Sequence, residues 1–424
     1  MAEKIYFADL AHTGGISSAE TFPLGIGYVA AYAKQEFGPN IECAILREPE
    51  ELNVALESEF PRVMCFSNFC WNLNLTMAYA KYVKNNSPNT IVVMGGLNIP
   101  IRREEKIQFL MKRPEIDFYV KWDGELAFAD LYKRLLECGF NADAIRRQRE
   151  ALPNLLYLVG DELVEGPDYR ITDLSQFPSP YTTGLFDKFF ECRMRPIMET
   201  NRGCPYSCTF CNDSHSVRSK VVQRSSEYIR EELEYIAQHV NNETDFLFAD
   251  LNFGMFKEDL ETARIVRSIV EKYDWPKYID VSIGKSHPER CLETVNIING
   301  NDRSIVKFIA SQQSTDQTVL GNIERKNLAL EKIAPLIGKS REGRENSTWY
   351  FTEFILALPG DSKERHYQSL RDGLEVLRMN SLDVHQLNLA MGAPMHTREP
   401  KWLLIMVLIL LCLRKTRSVT FLKN

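Results

Sequence analysis

The chain has 424 residues, enough for two or three domains at roughly 150 residues each, so a small scaffold held together by disulfides is excluded. Hydrophobic residues make up 44% and charged residues 25% of the sequence, and these ordinary values exclude disorder, collagen and a simple coiled coil. The net charge is -6, from 51 Lys and Arg against 57 Asp and Glu, so no basic excess indicates a nucleic-acid partner.

The N-terminal third alternates short apolar runs with amphipathic stretches. Strands are predicted at residues 5–10, 41–46, 63–66, 90–94 and 117–120. A helix is predicted between the third and fourth strands from the spacing of Leu75, Tyr79, Tyr82 and Val83, and residues 85–88 (NNSP) end it. Alternation of strand and helix predicts a Rossmann-like, flavodoxin-like parallel sheet over residues 1–145.

Polar residues and glycines follow the predicted strands of this sheet. In such sheets, ligands bind beyond the carboxyl ends of the strands, and glycine lets the backbone approach a bulky ligand closely. A nicotinamide cofactor is not expected, because no Gly-x-Gly-x-x-Gly opens the first helix. The segments at these ends are His12-Thr13-Gly14-Gly15, Ser67-Asn68-Phe69, Gly95-Gly96-Leu97-Asn98 and Asp123-Gly124-Glu125.

A second series of strands and helices follows residues 146–190, which are rich in Pro and Gly and are predicted to be a linker with a hairpin. Its strands are predicted at residues 195–199, 246–250, 278–283, 305–310, 351–356 and 384–389. Ser225 precedes an apolar helical stripe formed by Ile229, Leu233, Ile236 and Val240. Six such cycles over residues 191–395 predict a partial (β/α)6 TIM-type barrel, with a second open sheet as the alternative.

The two ends of the chain carry no targeting or anchoring pattern. No signal peptide precedes the first predicted strand, which favours a cytoplasmic location where thiols stay reduced. Residues 402–413 (WLLIMVLILLCL) are continuously apolar, but a membrane span needs roughly 18 or more residues, so none is predicted. Residues 396–424 depart from the amphipathic pattern before them and are interpreted as a truncated or frame-shifted tail.

Three of the 10 cysteines form the pattern Cys204-x3-Cys208-x2-Cys211 directly after the first strand of the second series. Three thiolates on one loop can hold three irons of a 4Fe-4S cluster and leave the fourth iron without a protein ligand. Two alternatives stay open: buried cysteines without a ligand, and a Cys3His zinc site completed by His215. The position of the loop at the mouth of a predicted barrel, where active sites collect, favours the cluster.

This loop, with Phe210 before its last cysteine and Asn201-Arg202-Gly203 ahead of it, resembles the defining motif of the radical S-adenosylmethionine enzymes. The resemblance implies that the open iron binds S-adenosylmethionine and that reductive cleavage yields a 5′-deoxyadenosyl radical. Residues 249–254, 311–314 and 356–361 resemble the segments that contact the cofactor's amino end, ribose and adenine. The implied S-adenosylmethionine-binding residues are Phe210, Asp250, Asn252, Gln313, Ser314, Pro359 and Gly360.

The N-terminal domain resembles the cobalamin-binding domain of one large subclass of these enzymes, through residues 22–28, the Gly95-Gly96 pair and Gly124-Glu125. Many cobalamin domains carry Asp-x-His-x-x-Gly after the first strand, whereas here two residues separate Asp9 from His12. His12 as a cobalt ligand, a cobalt without a histidine, and His12 as a loop residue therefore all stay open, as does a domain that only packs on the barrel. The implied cobalamin-binding residues are His12, Ser67, Asn68, Gly95, Gly96 and Gly124.

The function expected from the two resemblances is that of a cobalamin-dependent radical S-adenosylmethionine methyltransferase acting on an unactivated carbon or phosphorus. The resemblance also implies a small-molecule, lipid or peptide substrate and an electron donor such as flavodoxin or ferredoxin. One alternative keeps the radical chemistry but replaces methyl transfer with rearrangement or cyclisation. The other is a zinc-binding structural or interaction protein.

Overall fold

A seven-stranded sheet occupies the first part of the chain in a computed structural model that describes residues 2–12, 21–192, 194–301, 303–342 and 348–397. Its strand order is β2-β1-β3-β4-β5-β6-β7, with parallel pairing among the first five. The 2-1-3-4-5 order is that of flavodoxin, as predicted. The strands are β1 (Glu3–Ala8), β2 (Ile41–Leu46), β3 (Val63–Ser67), β4 (Ile91–Gly95), β5 (Phe118–Val120), β6 (Leu155–Val159) and β7 (Glu162–Glu165). The helices are α1 (Leu24–Phe37), α2 (Pro49–Ser58), α3 (Leu73–Asn86), α4 (Arg103–Met111), α5 (Gly124–Glu137) and α6 (Ala142–Gln148).

The central strands are apolar along their whole length because helices cover both faces of the sheet. In β3, Val63 packs toward one face and Met64 toward the other, and both are fully buried. The hairpin predicted within residues 146–190 is β6–β7, and it pairs antiparallel with β5 as an extension of the same sheet. The helix predicted after the third strand is α3, although Tyr82, assigned to its apolar stripe, is 47% exposed.

Six parallel strands follow in chain order in the second part of the chain. Two three-stranded sheets, β8-β11-β12 and β13-β14-β15, are joined by a parallel bridge between Ile279 and Val306. Because the series runs in one direction without reversing, it has the order of the predicted (β/α)6 partial barrel rather than of a second doubly wound sheet. These strands are β8 (Ile197–Met198), β11 (Asp245–Phe253), β12 (Tyr278–Ile283), β13 (Phe308–Ile309), β14 (Tyr350–Leu356) and β15 (Ser381–Gln386). Between them lie the short hairpin β9 (Asn201–Arg202) and β10 (Val222–Gln223) and helices α7 (Ser226–His239), α8 (Glu258–Tyr273), α9 (Pro288–Asn299), α10 (Gln317–Asn322), α11 (Leu330–Arg341) and α12 (Lys363–Arg371).

An aromatic cluster joins the two parts of the molecule. Phe22, just ahead of α1, lies 5.6 Å from the Tyr181 ring and 5.1 Å from the Phe190 ring, measured between centroids. Its backbone N–H also donates to the carbonyl of Arg195 at the start of the barrel, over 3.2 Å. Such large buried ring contacts hold the first sheet against the barrel.

Some predictions concern residues that the structure does not describe. The proposed aberrant tail lies outside the described residues from residue 398 onward, and Thr13, Gly14 and Gly15 are also outside them. The domain limits 1–145, 146–190 and 191–395 stay a prediction. Among the described residues, no helix combines the length and the apolar composition needed to cross a membrane.

The buried carboxyl of Glu232 on α7 should make the protein less stable as pH rises. It accepts hydrogen bonds from the hydroxyls of Ser179 and Tyr228, and burial raises its pKa to about 7. The native state therefore holds a proton that the unfolded chain, titrating near its ordinary value, has already released. The contribution of this proton to the free energy of unfolding is therefore present in full at low pH and is lost as the pH rises through the folded pKa.

Between pH 5 and pH 8, we expect the free energy of unfolding of the wild type to fall by about 2–3 kcal/mol more than that of Glu232→Gln, because the amide cannot ionise. Urea unfolding at the two pH values measures the difference. Glu231→Gln, at the exposed neighbouring position, is the matched control and should follow the wild type. An unchanged pH dependence in Glu232→Gln would contradict the prediction.

Candidate functional site

The cysteine loop, residues 202–218, is held by a backbone hydrogen bond across its own base and by two more to later segments of the chain. The Cys204 N–H donates to the carbonyl of Arg218 over 3.0 Å, which closes the base of the loop. At its tip, the Thr209 N–H donates to Ile323 over 3.0 Å, and the Thr209 carbonyl accepts from Met395 over 2.7 Å. The loop is therefore an ordered part of the barrel mouth, where a cofactor site needs fixed ligands.

Cys204, Cys208 and Cys211 line one open cavity of about 120 Å³. Cys204 and Cys208 are buried, and all nine cysteines in the described part of the chain are free thiols. The other residues around the cavity are Tyr206, Phe210, Ser214, Leu251, Ser282, Ile283, Lys285, Ser311, Gln313, Arg325 and Glu353. The three predicted ligands thus face a single space that also holds polar and charged groups.

Two cations lie beside Cys208. The Lys285 Nζ is 3.5 Å from the Cys208 Sγ, and the Cys208 thiol also interacts with the buried Arg325 guanidinium. Burial lowers the pKa of both cations, whereas burial raises the pKa of the Cys211 thiol to about 11. Positive charge next to thiols favours the thiolate form that binds iron. The arrangement therefore suits three thiolates and an additional anionic ligand.

Lys285, Arg325 and Glu353 are not among the predicted site residues. Lys285 follows β12 and Glu353 lies on β14, so the only indication of these two residues in the sequence was their place on or just after barrel strands. Arg325 follows α10 and had no such indication. The Ser311 hydroxyl donates to Glu353 over 2.5 Å, and a side-chain N–H of Arg325 donates to the Ser311 carbonyl. Ser311 therefore connects the Arg325 guanidinium to the Glu353 carboxylate in the same cavity.

Phe210 and Gln313 are the predicted S-adenosylmethionine-binding residues that line the cavity. Gln313 has a left-handed backbone, with φ of 63°, and its Oε1 is buried with no hydrogen-bond partner among the described residues. A strained backbone and an unsatisfied buried acceptor are costly, and both are typical of ligand sites. Gln313 therefore fits a ligand that donates a hydrogen bond.

Asp250, Asn252 and Ser314 are buried close to this region but do not line the cavity. Asp250 accepts from the N–H and the hydroxyl of Thr200, which ties β11 to the strand end before the cysteine loop. Burial raises the Asp250 pKa to about 7. The Asn252 Nδ2 donates to the Cys204 Sγ over 3.3 Å, and the Ser314 hydroxyl accepts from the Asp316 N–H. These contacts support the loop and the strand ends.

Pro359 and Gly360 also lie outside the cavity lining. The Pro359 carbonyl accepts a hydrogen bond from the Asn322 side chain over 3.0 Å. Gly360 has φ of 81°, and the same Asn322 side chain occupies the space where a Cβ would stand. Their contacts place them in a turn packed on α10, and their predicted role at the adenine stays a prediction.

His215, the fourth ligand of the zinc alternative, is occupied by other contacts. Its Nε2 is 2.7 Å from the Gly392 carbonyl, and its ring lies 4.7 Å from the Trp122 ring. Among the described residues, no three or more His, Cys, Asp or Glu side chains converge as ligands of a single metal ion. A cubane cluster spaces its irons, so its thiolates need not converge on one point.

The predicted cobalamin-binding residues gather at the carboxyl edge of the first sheet, but their nearest partners are within the chain. The Asn68 side chain donates to the Asn98 carbonyl over 2.7 Å and to the Tyr119 hydroxyl over 2.9 Å. The Ser67 hydroxyl donates to Asp9. The His12 Nε2 is 3.1 Å from the Trp71 carbonyl, a contact that suits the loop interpretation of His12.

The three predicted glycines allow close packing between neighbouring segments of this edge. A Cβ on Gly96 would lie 2.7 Å from the Asn68 carbonyl, and one on Gly95 would lie 3.3 Å from the Val120 carbonyl. A Cβ on Gly124 would lie 3.0 Å from Val29 of α1. Their absent side chains therefore make room for the chain's own atoms.

A stacked aromatic pair at the same edge joins the half-buried Phe69, which belongs to one of the predicted strand-end segments, to the exposed Trp71, which does not. The rings of Phe69 and Trp71 stack at 4.5 Å with an interplanar angle of 5°, and Trp71 is 41% exposed. The position of Phe69 after the third strand indicated this edge in the sequence, but nothing indicated Trp71 beyond the aromatic content of the loop. A flat exposed aromatic surface suits contact with a large planar ligand.

Comparison with curated proteins finds two relatives that match nearly the whole chain. One is the 2-(S-pantetheinyl)-carbapenam-3-carboxylate methyltransferase of Streptantibioticus cattleyicolor, 32% identical in an alignment 414 residues long that covers 93% of this chain and 56% of that protein. The other is the cobalamin-dependent radical SAM methyltransferase TokK of Streptomyces tokunonensis, 31% identical over 413 residues, with the same coverage of 93% and 56%. The chain therefore spans about half the length of these relatives. No family model matches it.

Solved structures show the same fold. TsrM from Kitasatospora setae, a radical S-adenosylmethionine methyltransferase with cobalamin and a 4Fe-4S cluster bound, superposes with a TM-score of 0.65 at 15% identity, covering 93% of this chain and 74% of TsrM. OxsB, a cobalamin-dependent S-adenosylmethionine radical enzyme, superposes with a TM-score of 0.63 at 17% identity, covering 92% of this chain and 54% of OxsB. The order of a flavodoxin-like sheet followed by a partial barrel is thus shared with these enzymes.

Proposed function

The chain is a homologue of the cobalamin-dependent radical S-adenosylmethionine methyltransferases, and on that premise we propose that it transfers a methyl group to an unactivated carbon or phosphorus. The observation that carries the proposal is the meeting of Cys204, Cys208 and Cys211 with Lys285 and Arg325 around one cavity. When bound there, a 4Fe-4S cluster supplies an open iron for the amino and carboxylate groups of S-adenosylmethionine and an electron for its cleavage.

The chain's own residues hold and shield this centre. The three cysteines provide the thiolates, and Lys285 and Arg325 offset the negative charge that thiolates and a carboxylate bring. Gln313 offers its unsatisfied Oε1 to a donor on the cofactor. Phe210 and Leu251 supply apolar walls that limit water near a reactive radical. The roles of Asp250, Asn252, Ser314, Pro359 and Gly360 at the cofactor stay part of the proposal.

Cobalamin is proposed to bind at the carboxyl edge of the first sheet. Support comes from the shared fold and from the stacked Phe69–Trp71 pair with its exposed Trp71 ring, which fits the flat face of a corrinoid. The proposed contacts there include His12, Ser67, Asn68, Gly95, Gly96 and Gly124, with the backbone of the glycines rather than open space facing the ligand. When bound, cobalamin supplies a cobalt that can carry a methyl group between S-adenosylmethionine and the substrate.

Anaerobic reconstitution with iron, sulfide and cobalamin tests the proposed function. The expected result is 4Fe-4S absorbance, release of 5′-deoxyadenosine with dithionite, and a product heavier than its substrate by one methylene. A product of unchanged carbon count would favour rearrangement or cyclisation. Equimolar zinc without iron or acid-labile sulfide would favour the zinc-binding alternative, and absence of both cluster and 5′-deoxyadenosine would overturn the radical chemistry.

Substrate, electron donor and compartment are proposed more broadly. The substrate is a small molecule, lipid or peptide, and the name of one relative makes a carboxylate-bearing small molecule the first class to test. The electron donor is a flavodoxin or ferredoxin. A cytoplasmic location is proposed because cluster cysteines must stay reduced.

Lys285→Met should weaken S-adenosylmethionine binding about 10-fold or more, because a charge-assisted hydrogen bond contributes about 1.5–3 kcal/mol. Its iron content should stay close to that of the wild type, since Lys285 is not a ligand. Equilibrium binding to the reconstituted protein measures the affinity. Lys277→Met is the matched control, because Lys277 precedes β12 at the opposite end and is half-exposed. Equal affinities in the two variants would contradict the assignment.

A further inference from the structure

One turn of the first sheet contacts both ends of the cysteine loop. This β5–α5 turn comprises residues 122–125. Ahead of Cys204, the Arg202 guanidinium lies 2.8 Å from the Glu125 carboxylate and 3.5 Å from that of Asp123. Beyond Cys211, the ring of Trp122 lies 4.7 Å from the ring of His215. The loop is therefore contacted near its two ends by three side chains of this one turn, Trp122, Asp123 and Glu125.

The charged groups of this contact are shielded from solvent. The side chains of Asp123 and Glu125 are 2% and 3% exposed, and that of Arg202 is 10% exposed. Arg170 completes the network, because its guanidinium donates to Asp123 over 2.7 Å and to the Arg202 carbonyl over 2.6 Å. Charges buried in this way tolerate little displacement, because any separation leaves an unpaired charge in a medium of low dielectric.

The β5–α5 turn also belongs to the edge at which the first sheet is proposed to bind its ligand. It follows the carboxyl end of β5, and the Val120 carbonyl accepts from the Gly96 N–H over 3.2 Å. Trp122 has a left-handed backbone with φ of 61°, and its indole N–H donates to Asp168 over 2.9 Å. A ligand bound against Gly95 and Gly96 would therefore lie next to the β5–α5 turn, whose side chains contact the cysteine loop.

We propose that the β5–α5 turn couples the ligand edge of the first sheet to the cysteine loop, so that cobalamin binding changes the environment of the cluster. Trp122, Asp123 and Glu125 are positioning residues in this inference, which rests on the proposed function. Coupling between two binding sites is reciprocal, so any factor by which cobalamin changes the affinity for S-adenosylmethionine is also the factor by which S-adenosylmethionine changes the affinity for cobalamin.

The experiment compares the electron paramagnetic resonance spectrum of the dithionite-reduced cluster with and without hydroxocobalamin in the reconstituted full chain. The wild type is expected to show a shift in the signal on cobalamin addition. Asp123→Asn and Trp122→Leu are expected to keep their iron, sulfide and bound cobalamin but to show less than half of that shift. Trp122→Leu keeps the buried ion pairs intact, so it answers the question if Asp123→Asn fails to fold.

Two control variants separate coupling from general loss of packing. Asp117→Asn removes a buried carboxylate held by Arg146 over 2.9 Å at the amino end of the same strand β5, and it should keep the full shift. Trp122→Phe retains a ring against His215 and should show most of the cobalamin-induced shift. A wild type that binds both groups without any shift, or a full shift in Trp122→Leu, overturns the inference. Failure to bind a cluster or cobalamin at all overturns the proposed function instead.

Discussion

Replacing Cys208 with serine is expected to leave the reconstituted protein without 4Fe-4S absorbance and to reduce 5′-deoxyadenosine release to the background rate. Cys208 lines the cavity, lies between the other two cysteines in sequence and interacts with both Lys285 and Arg325. A hydroxyl is a poor ligand for iron, and two thiolates cannot hold a cluster that needs three. Iron and sulfide analysis together with nucleoside chromatography measures the effect.

Cys291→Ser is the matched control for this loss. Cys291 is fully buried on α9, and burial raises its pKa to about 12, so it is an inert packing thiol rather than a ligand. Its variant should keep the cluster and the cleavage reaction. Full cluster content in Cys208→Ser, or equal loss in both variants, would show that the cysteine loop is not the cluster site.

The gathering of Cys204, Cys208 and Cys211 around one cavity could be predicted from the sequence because the three residues lie on one short loop. Spacing within one loop decides whether three thiolates can share a cluster, and no distant residue is needed to recognise it. The flavodoxin-like order of the first sheet is predictable for a similar reason, since alternating strands and helices restrict the possible topologies. Both features depend on residues close together in the chain.

The cations of the site depend on distant residues, and this is why they were not predicted. Lys285 and Cys208 are separated by 77 positions, and only the winding of the barrel brings them within 3.5 Å. Contacts within the chain are equally hard to predict from sequence. The Asp250 carboxylate accepts hydrogen bonds from Thr200, and Gly124 lies close to Val29, whereas their predicted roles at the cofactors stay a prediction. A sequence pattern shows a residue type but not the partner that occupies it.

Gly203→Ala is expected to remove more than half of the cluster content, although the residue is no ligand. Gly203 has φ of 124°, a backbone conformation that alanine adopts only with strain of about 1–3 kcal/mol. An added Cβ would also lie 2.8 Å from the carbonyls of Arg218 and Lys220. Relief of that contact requires backbone movement, and the Arg218 carbonyl accepts the hydrogen bond of the Cys204 N–H. The substitution therefore displaces the first ligand of the cluster.

Gly338→Ala distinguishes this effect from the general consequence of replacing a glycine. Gly338 lies inside α11, and no atom stands within 4 Å of an added Cβ, so the helix should gain up to about 1 kcal/mol. Iron and sulfide content and thermal unfolding measured on both variants give the comparison. Normal cluster content in Gly203→Ala would mean that the base of the loop can move without displacing Cys204. The fixed contacts around Arg218 would then contribute nothing to ligand placement.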